Sequence, residues 1–126
     1  MTGAALLQMR FTIADLPRLR LRVGEAAGLA GLDEGRCEDF VLAAYELACN
    51  AVLHGGGAGF LRLRRDEGLL ECQVSDDGPG FRGRPDFSGR GLPLARELTD
   101  GIEIGGGPGA VVTLTVLFRT DRQLVD

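Results

Sequence analysis

The chain has no apolar run approaching the roughly 20 residues that cross a membrane. Its first residues also lack the basic and apolar regions of a secretion signal, so a cytoplasmic protein is expected, with no membrane partner. Cysteine is scarce: Cys37, Cys49 and Cys72 are odd in number and far apart, which suits neither a disulfide framework nor a zinc site. They read as buried small hydrophobes. A surplus of positive charge is missing too. The formal charge is -4, with no electrostatic footprint for nucleic acid, so direct nucleic-acid binding is not expected. Glycine is plentiful at 20, and its clusters near 55–59, 78–91 and 105–109 have no period, which argues against a repeat architecture. What is present is ordinary globular material: 126 residues, 44% hydrophobic and 25% charged, enough to bury one core. A single domain over 1–126 is expected.

Residues 6–13 end in β-formers and precede Asp15-Leu-Pro, so a strand should be followed by a helix. That helix, over about 15–27, places Leu16, Leu19, Val23 and Ala26 on one stripe before Gly28 and Gly31 weaken it. A stronger helix starts near Asp33. It carries Phe40, Val41, Ala44, Leu47, Ala48, Ala51 and Val52 at helical spacing and stops at His54-Gly-Gly-Gly. Phe60, Leu61 and Leu63 open a strand that turns near Asp66-Glu-Gly, with 69–75 as its hairpin partner. Residues 81–89 read as a loop, 92–98 as a helix with Pro93 in its first turn, and 102–104 and 111–118 as two closing strands. The last few residues should fray. This order segregates hairpins from helices, which argues for an α+β fold with helices on one sheet face over a doubly wound one.

Three local patterns could carry chemistry. Glu46, Asn50 and His54 recur at every fourth position of the second helix and form a polar stripe there. The plain reading is a solvated helix face; the functional one supplies a carboxylate base and an amide oxygen suited to Mg²⁺. A helix C-terminus favours histidine in any case. Asp76 ends a strand and is followed by Gly78, Pro79 and Gly80. This is either an ordinary tight turn or a carboxylate that accepts a hydrogen bond from an exocyclic amine, beside glycines that admit a flat base. Gly89-Arg90-Gly91 precedes a helix, where it is either a hinge or a phosphate cradle of free backbone amides with Arg90 adding charge.

Taken together and in this order, the patterns resemble the conserved boxes of the GHKL ATPase and kinase superfamily. Glu46-Leu-Ala-Cys-Asn50-Ala-Val-Leu-His54-Gly55 is similar to its N box. Asp76-Asp-Gly-Pro-Gly80-Phe81 is similar to its G1 box, and Gly89-Arg-Gly-Leu-Pro-Leu-Ala-Arg-Glu-Leu-Thr-Asp100 to its G2 box. Within the superfamily, the stand-alone length and the G2 wording most resemble the anti-sigma-factor serine/threonine kinases.

The resemblance implies a two-layer α/β sandwich with a mixed, mostly antiparallel sheet (the Bergerat fold), and ATP or ADP with Mg²⁺ as cofactors. It implies Glu46 as general base, Arg90 as a stabiliser of charge on the transferred phosphate, and Asn50 as the metal ligand. Asn50, His54, Asp76, Gly78, Gly80, Gly89, Arg90, Gly91, Leu92 and Thr113 would contact nucleotide. It further implies a sigma factor and an anti-anti-sigma protein of the STAS type as partners, and a possible homodimer. Two departures stand out: Gly109-Ala110 replaces the family's frequent Gly-Thr pair, with Thr113 as a partial substitute, and the 81–89 lid is short. Both leave open a binding module that transfers no phosphate. An isolated sensor histidine kinase domain is a third reading, although no phosphoacceptor helix is visible.

Overall fold

A computed structural model of the chain describes residues 4–78, 91–105 and 109–118. The expected loop over 81–89, most of the loop between the last two strands, and the fraying tail lie outside these residues.

Strand β1 (Ala4–Thr12) leads through one 3₁₀ turn (Ile13–Asp15) into helix α1 (Leu16–Leu29). The turn is fixed locally: the Thr12 backbone N–H donates to Asp15 Oδ2 at 2.9 Å, and Pro17 sits in the first turn of α1, where its missing N–H costs nothing. The helix buries Leu16, Leu19, Val23 and Ala27, so the inner stripe includes Ala27 where Ala26, only half-buried, was expected. It also outlasts Gly28. Gly31 N–H bonds the Gly28 carbonyl and Leu32 N–H the Ala27 carbonyl, a Schellman closure with Gly31 at φ +106°, a conformation open to glycine at little strain. The helix therefore ends where the left-handed residue falls. A glycine in its interior only lowers its propensity.

Asp33 caps helix α2 (Glu34–His54) by accepting the Arg36 backbone N–H at 2.9 Å, and Gly55 follows its last residue. Phe40, Ala43, Ala44, Leu47, Ala48 and Ala51 are its buried face, while Val41 and Val52 are half-buried. Strands β2 (Ala58–Asp66) and β3 (Leu69–Ser75) form the expected hairpin. Helix α3 (Gly91–Leu98), β4 (Gly101–Gly105) and β5 (Val111–Leu117) complete the order.

The five strands line up as β1-β2-β3-β5-β4, and every described pairing is antiparallel. Side chains alternate across such a sheet. Leu7, Met9, Phe11, Leu61, Leu63, Leu70, Cys72, Val74, Val112, Leu114 and Val116 point to one face and meet the helices. The register brings Gln8, Arg62, Gln73, Thr113 and Glu103 into one row on the other. The result is an α+β two-layer sandwich with its helices on one face. Each fully buried large aliphatic side chain contributes roughly 1.5–3 kcal/mol to it.

Two arginines tie the layers together at the end away from the α2 C-terminus. Arg36 Nη2, in the first turn of α2, donates at 2.7 Å both to Asp100 Oδ2 and to the Leu117 carbonyl. The Leu117 N–H donates to the same Asp100 oxygen at 2.7 Å. Arg65 Nη1 donates to the Ala30 carbonyl at 2.8 Å, and its guanidinium lies 4.5 Å from the centre of the Phe118 ring. No helix of the described residues is long and apolar enough to cross a membrane.

The cysteines divide. Cys72 is fully buried on β3, and burial pushes its thiol from the ordinary value of 9.0 up to about 12. Cys37 and Cys49 are only half-buried, which corrects the expectation of three core residues, because both sit at the margin of the inner face of α2. Burial raises these two thiols as well.

Candidate functional site

Asn50 and Asp76 reach one place from different directions. Asn50 lies on the inner margin of α2, three residues beyond Leu47 and one before Ala51, and is half-buried. Asp76 is the first residue after β3, where the strand's pairing with β5 gives out. Both line a single hollow with Leu47, Ala51, Val74, Leu92, Ala110 and Val112. The walls are thus apolar, and the polar groups converge from two sides.

Asp76 is held by its surroundings. Its Oδ1 accepts the Gly78 N–H at 2.9 Å and the Ala110 N–H at 3.4 Å, while its own N–H donates to the Ala110 carbonyl at 3.0 Å. This arrangement orients the carboxylate and leaves Oδ2 without a hydrogen-bond donor among the described residues. Three glycines pack around it. A Cβ on Gly55 would run into the Asp76 carboxylate, one on Gly109 into the Asp76 carbonyl, and one on Gly78 into the Gly55 backbone. Loops at 55, 78 and 109 can close round this aspartate only because none of the three carries a side chain.

The hollow is about 20 Å³, which admits a single water. Pockets for small ligands commonly measure roughly 300–1,000 Å³, so a purine enters this one only as its walls part. A far larger concavity, about 1040 Å³, lies between the outer faces of α1 and α2 and is lined by none of the expected site residues that are described. Size alone would select it. The chemistry points to the small hollow, where a carboxylate, an amide and apolar walls meet.

Of the residues singled out from sequence, Asn50, Asp76 and Leu92 share this hollow, Gly78 is bonded to Asp76, and Gly91 begins α3. Glu46 is half-buried one turn before Asn50, and His54 is exposed one turn after it; neither lines the hollow. Thr113 does not line this hollow. It lies on the outer sheet face, where its hydroxyl oxygen accepts from Gln73 Nε2 at 3.4 Å, because Val112 and Leu114 occupy the inward positions on either side. Gly80, Gly89 and Arg90 lie outside the described residues. Ala110 was noted only as a replacement within the family's pattern, and Leu47, Ala51, Val74 and Val112 were not singled out as site residues. Leu47 and Ala51 carried a signal in flanking Asn50 on one helix face, whereas Val74 and Val112 meet through strand pairing.

As for cation binding, the described residues hold no group of three or more His, Cys, Asp or Glu side chains that could form a metal site by themselves. Asn50 offers one hard oxygen, which fits Mg²⁺ held mainly by phosphate and water and does not fit a protein-only cage.

The fold is a helical layer on one antiparallel sheet face, with Asp76 at the end of β3 and Asn50 on α2 lining one hollow. Residues 9–116 match the model of the histidine kinase-like ATPase domain family, and the chain belongs to that family. Among solved structures, the fold is similar to the crystal structure of the RsbU and RsbW domains of Rv1364c from Mycobacterium tuberculosis. The identity is 24% and the TM-score 0.67, over 90% of this chain and 35% of that one. The present chain therefore spans about a third of that protein's length. It is also similar to the NMR structure of the histidine kinase domain of the E. coli osmosensor EnvZ, at 15% identity and a TM-score of 0.53, covering 93% and 91% of the two chains. No curated protein matches.

Proposed function

We propose that the chain is an ATP-binding anti-sigma factor and serine protein kinase of the partner-switching type. The observation that carries this reading is the convergence of Asn50 and Asp76 on one apolar-walled hollow in a domain of the ATPase family. Asp76 Oδ2 accepts the exocyclic amine of adenine, while Leu47, Ala51, Val74 and Val112 supply the flat apolar contact. Asn50 holds Mg²⁺ through its amide oxygen; the ion, when bound, neutralises charge on the phosphates. The N-terminus of α3 at Gly91, with Gly89 and Arg90, cradles the phosphates. Glu46 takes the proton from a serine hydroxyl of a STAS-domain partner as that oxygen attacks the γ-phosphorus, the bond to the β–γ bridging oxygen breaks and ADP leaves. The fold likeness to a protein with an RsbW domain supports a sigma factor and its antagonist as the partners.

A second reading, nucleotide binding without transfer, is favoured by Ala110. This residue lines the hollow with a methyl group where the family often has a hydroxyl, and Thr113 faces away. The two are separated by incubating the chain with [γ-³²P]ATP, Mg²⁺ and purified STAS-domain proteins. Label on a partner serine, reduced at least a hundredfold by Glu46→Ala with nucleotide affinity retained, supports the kinase. Bound nucleotide with no label on any partner overturns it in favour of the binding module.

A further inference from the structure

The concavity of about 1040 Å³ between α1 and α2 is on the outer side of the helical layer, away from the Asn50–Asp76 hollow. Leu32 forms part of its floor and is buried. Val41, Cys37 and Tyr45 are half-buried along one wall, and Leu21 is 69% exposed on the other.

Two glycines of α1, Gly24 and Gly28, keep the groove open, and neither is needed by the backbone. Both lie inside the helix without a positive φ. A Cβ at Gly24 would make only an ordinary 3.6 Å contact with Val41, and one at Gly28 would meet nothing within 4 Å. Each glycine costs the helix about 1 kcal/mol against alanine, so the sequence keeps the groove empty at some expense in stability.

The rim has a sign. Glu25, Glu34 and Glu38 line it, all exposed, and none is ion-paired among the described residues. The one basic residue among the described lining residues, Arg20, lies over the Tyr45 ring with its guanidinium carbon 5.0 Å from the centroid. An elongated apolar trough between two helices, edged by three carboxylates, is complementary to a third helix with an apolar stripe and lysine or arginine beside it.

We propose that the α1–α2 groove is a docking site for a basic amphipathic helix of a partner protein. Its apolar side chains lie over Gly24 and Gly28, and its cations face Glu25, Glu34 and Glu38. This inference stands apart from the nucleotide reading, since no groove residue touches the Asn50–Asp76 hollow.

The test is selection from a displayed library of 14-residue helical peptides on the full chain, with counter-selection on Gly28→Leu. That variant puts a side chain into the groove where the fold has open space, so it should fold at least as stably and bind nucleotide as the wild type does. The expected result is a set of peptides with apolar residues at helical spacing and at least two flanking cations. They should lose tenfold or more in affinity on Gly28→Leu and again on the Glu34→Lys, Glu38→Lys double variant. The proposal is overturned if no peptide distinguishes wild type from Gly28→Leu, or if the selected peptides are neutral or acidic. It is equally overturned if sedimentation shows the groove closed by a second copy of the chain, with a dimer that Gly28→Leu dissociates.

Discussion

Asp76 does two jobs with its two oxygens. Oδ1 gathers backbone amides from its own turn and from the start of β5, so the strand ends are pinned to each other through a side chain. Oδ2 is left for a donor that the described protein does not supply. Burial acts differently at Cys72, which is sealed among Leu63, Leu70, Leu114 and their neighbours and gains nothing from ionising there. Its thiol is pushed up to about 12, while in the unfolded chain it loses its proton near the ordinary value of 9.0. Below pH 9 both states hold the proton and the contribution is fully present. Between pH 9 and about 12 only the unfolded state releases it, so stability falls by up to ~1.4 kcal/mol per pH unit. Urea denaturation across that window should show the deficit of Cys72→Ala relative to wild type shrinking as pH rises. A deficit that stays constant would mean that the thiol is not sealed.

At the scale of elements, helix α2 is the organiser. One face fills the core, its inner margin carries Asn50 into the hollow, and its first turn holds Arg36 against the end of α3 and the end of β5. Arg36→Met removes the donors to Asp100 and to the Leu117 carbonyl together. It should lower stability by about 2 kcal/mol in urea denaturation, with Arg36→Lys, a single-point donor, intermediate. An unchanged midpoint for Arg36→Met would show that the contact adds nothing to the fold.

The same helix shows what a sequence discloses. Its span was legible because its cap at Asp33, its apolar spacing and its stop at Gly55 are all local. The end of α1 was less so, since Gly28 and Gly31 look alike in a string and differ in which one takes a left-handed φ. The orientation of Thr113 could have been read from its neighbours: Val112, Leu114 and Val116 are the apolar half of an alternating strand, which sends Thr113 outward. The packing of Gly55, Gly78 and Gly109 around Asp76 left no local trace, because it joins three segments that only the folded sheet brings together.

For the whole molecule, the order of the layers sets what each surface is for. The outer sheet face is polar across the row from Gln8 to Glu103, the helical face carries an acidic-rimmed groove, and the Asn50–Asp76 hollow lies between the layers, beyond the end of β3. In the proposed reading adenine is held through one oxygen atom, so that reading can be tested by changing that atom alone. In Asp76→Asn, the retained carbonyl oxygen can still accept from Gly78 and Ala110, while an NH₂ group replaces Oδ2 and confronts the amine of adenine. The direct measurement is isothermal titration of wild type and Asp76→Asn with ADP and with GDP. One ADP should bind per wild-type chain in preference to GDP, and the variant should keep its thermal stability while losing roughly 10- to 100-fold in ADP affinity, the worth of a charged hydrogen bond of ~1.5–3 kcal/mol. Absence of ADP binding to the wild type, or equal affinity in the two proteins, would contradict the account.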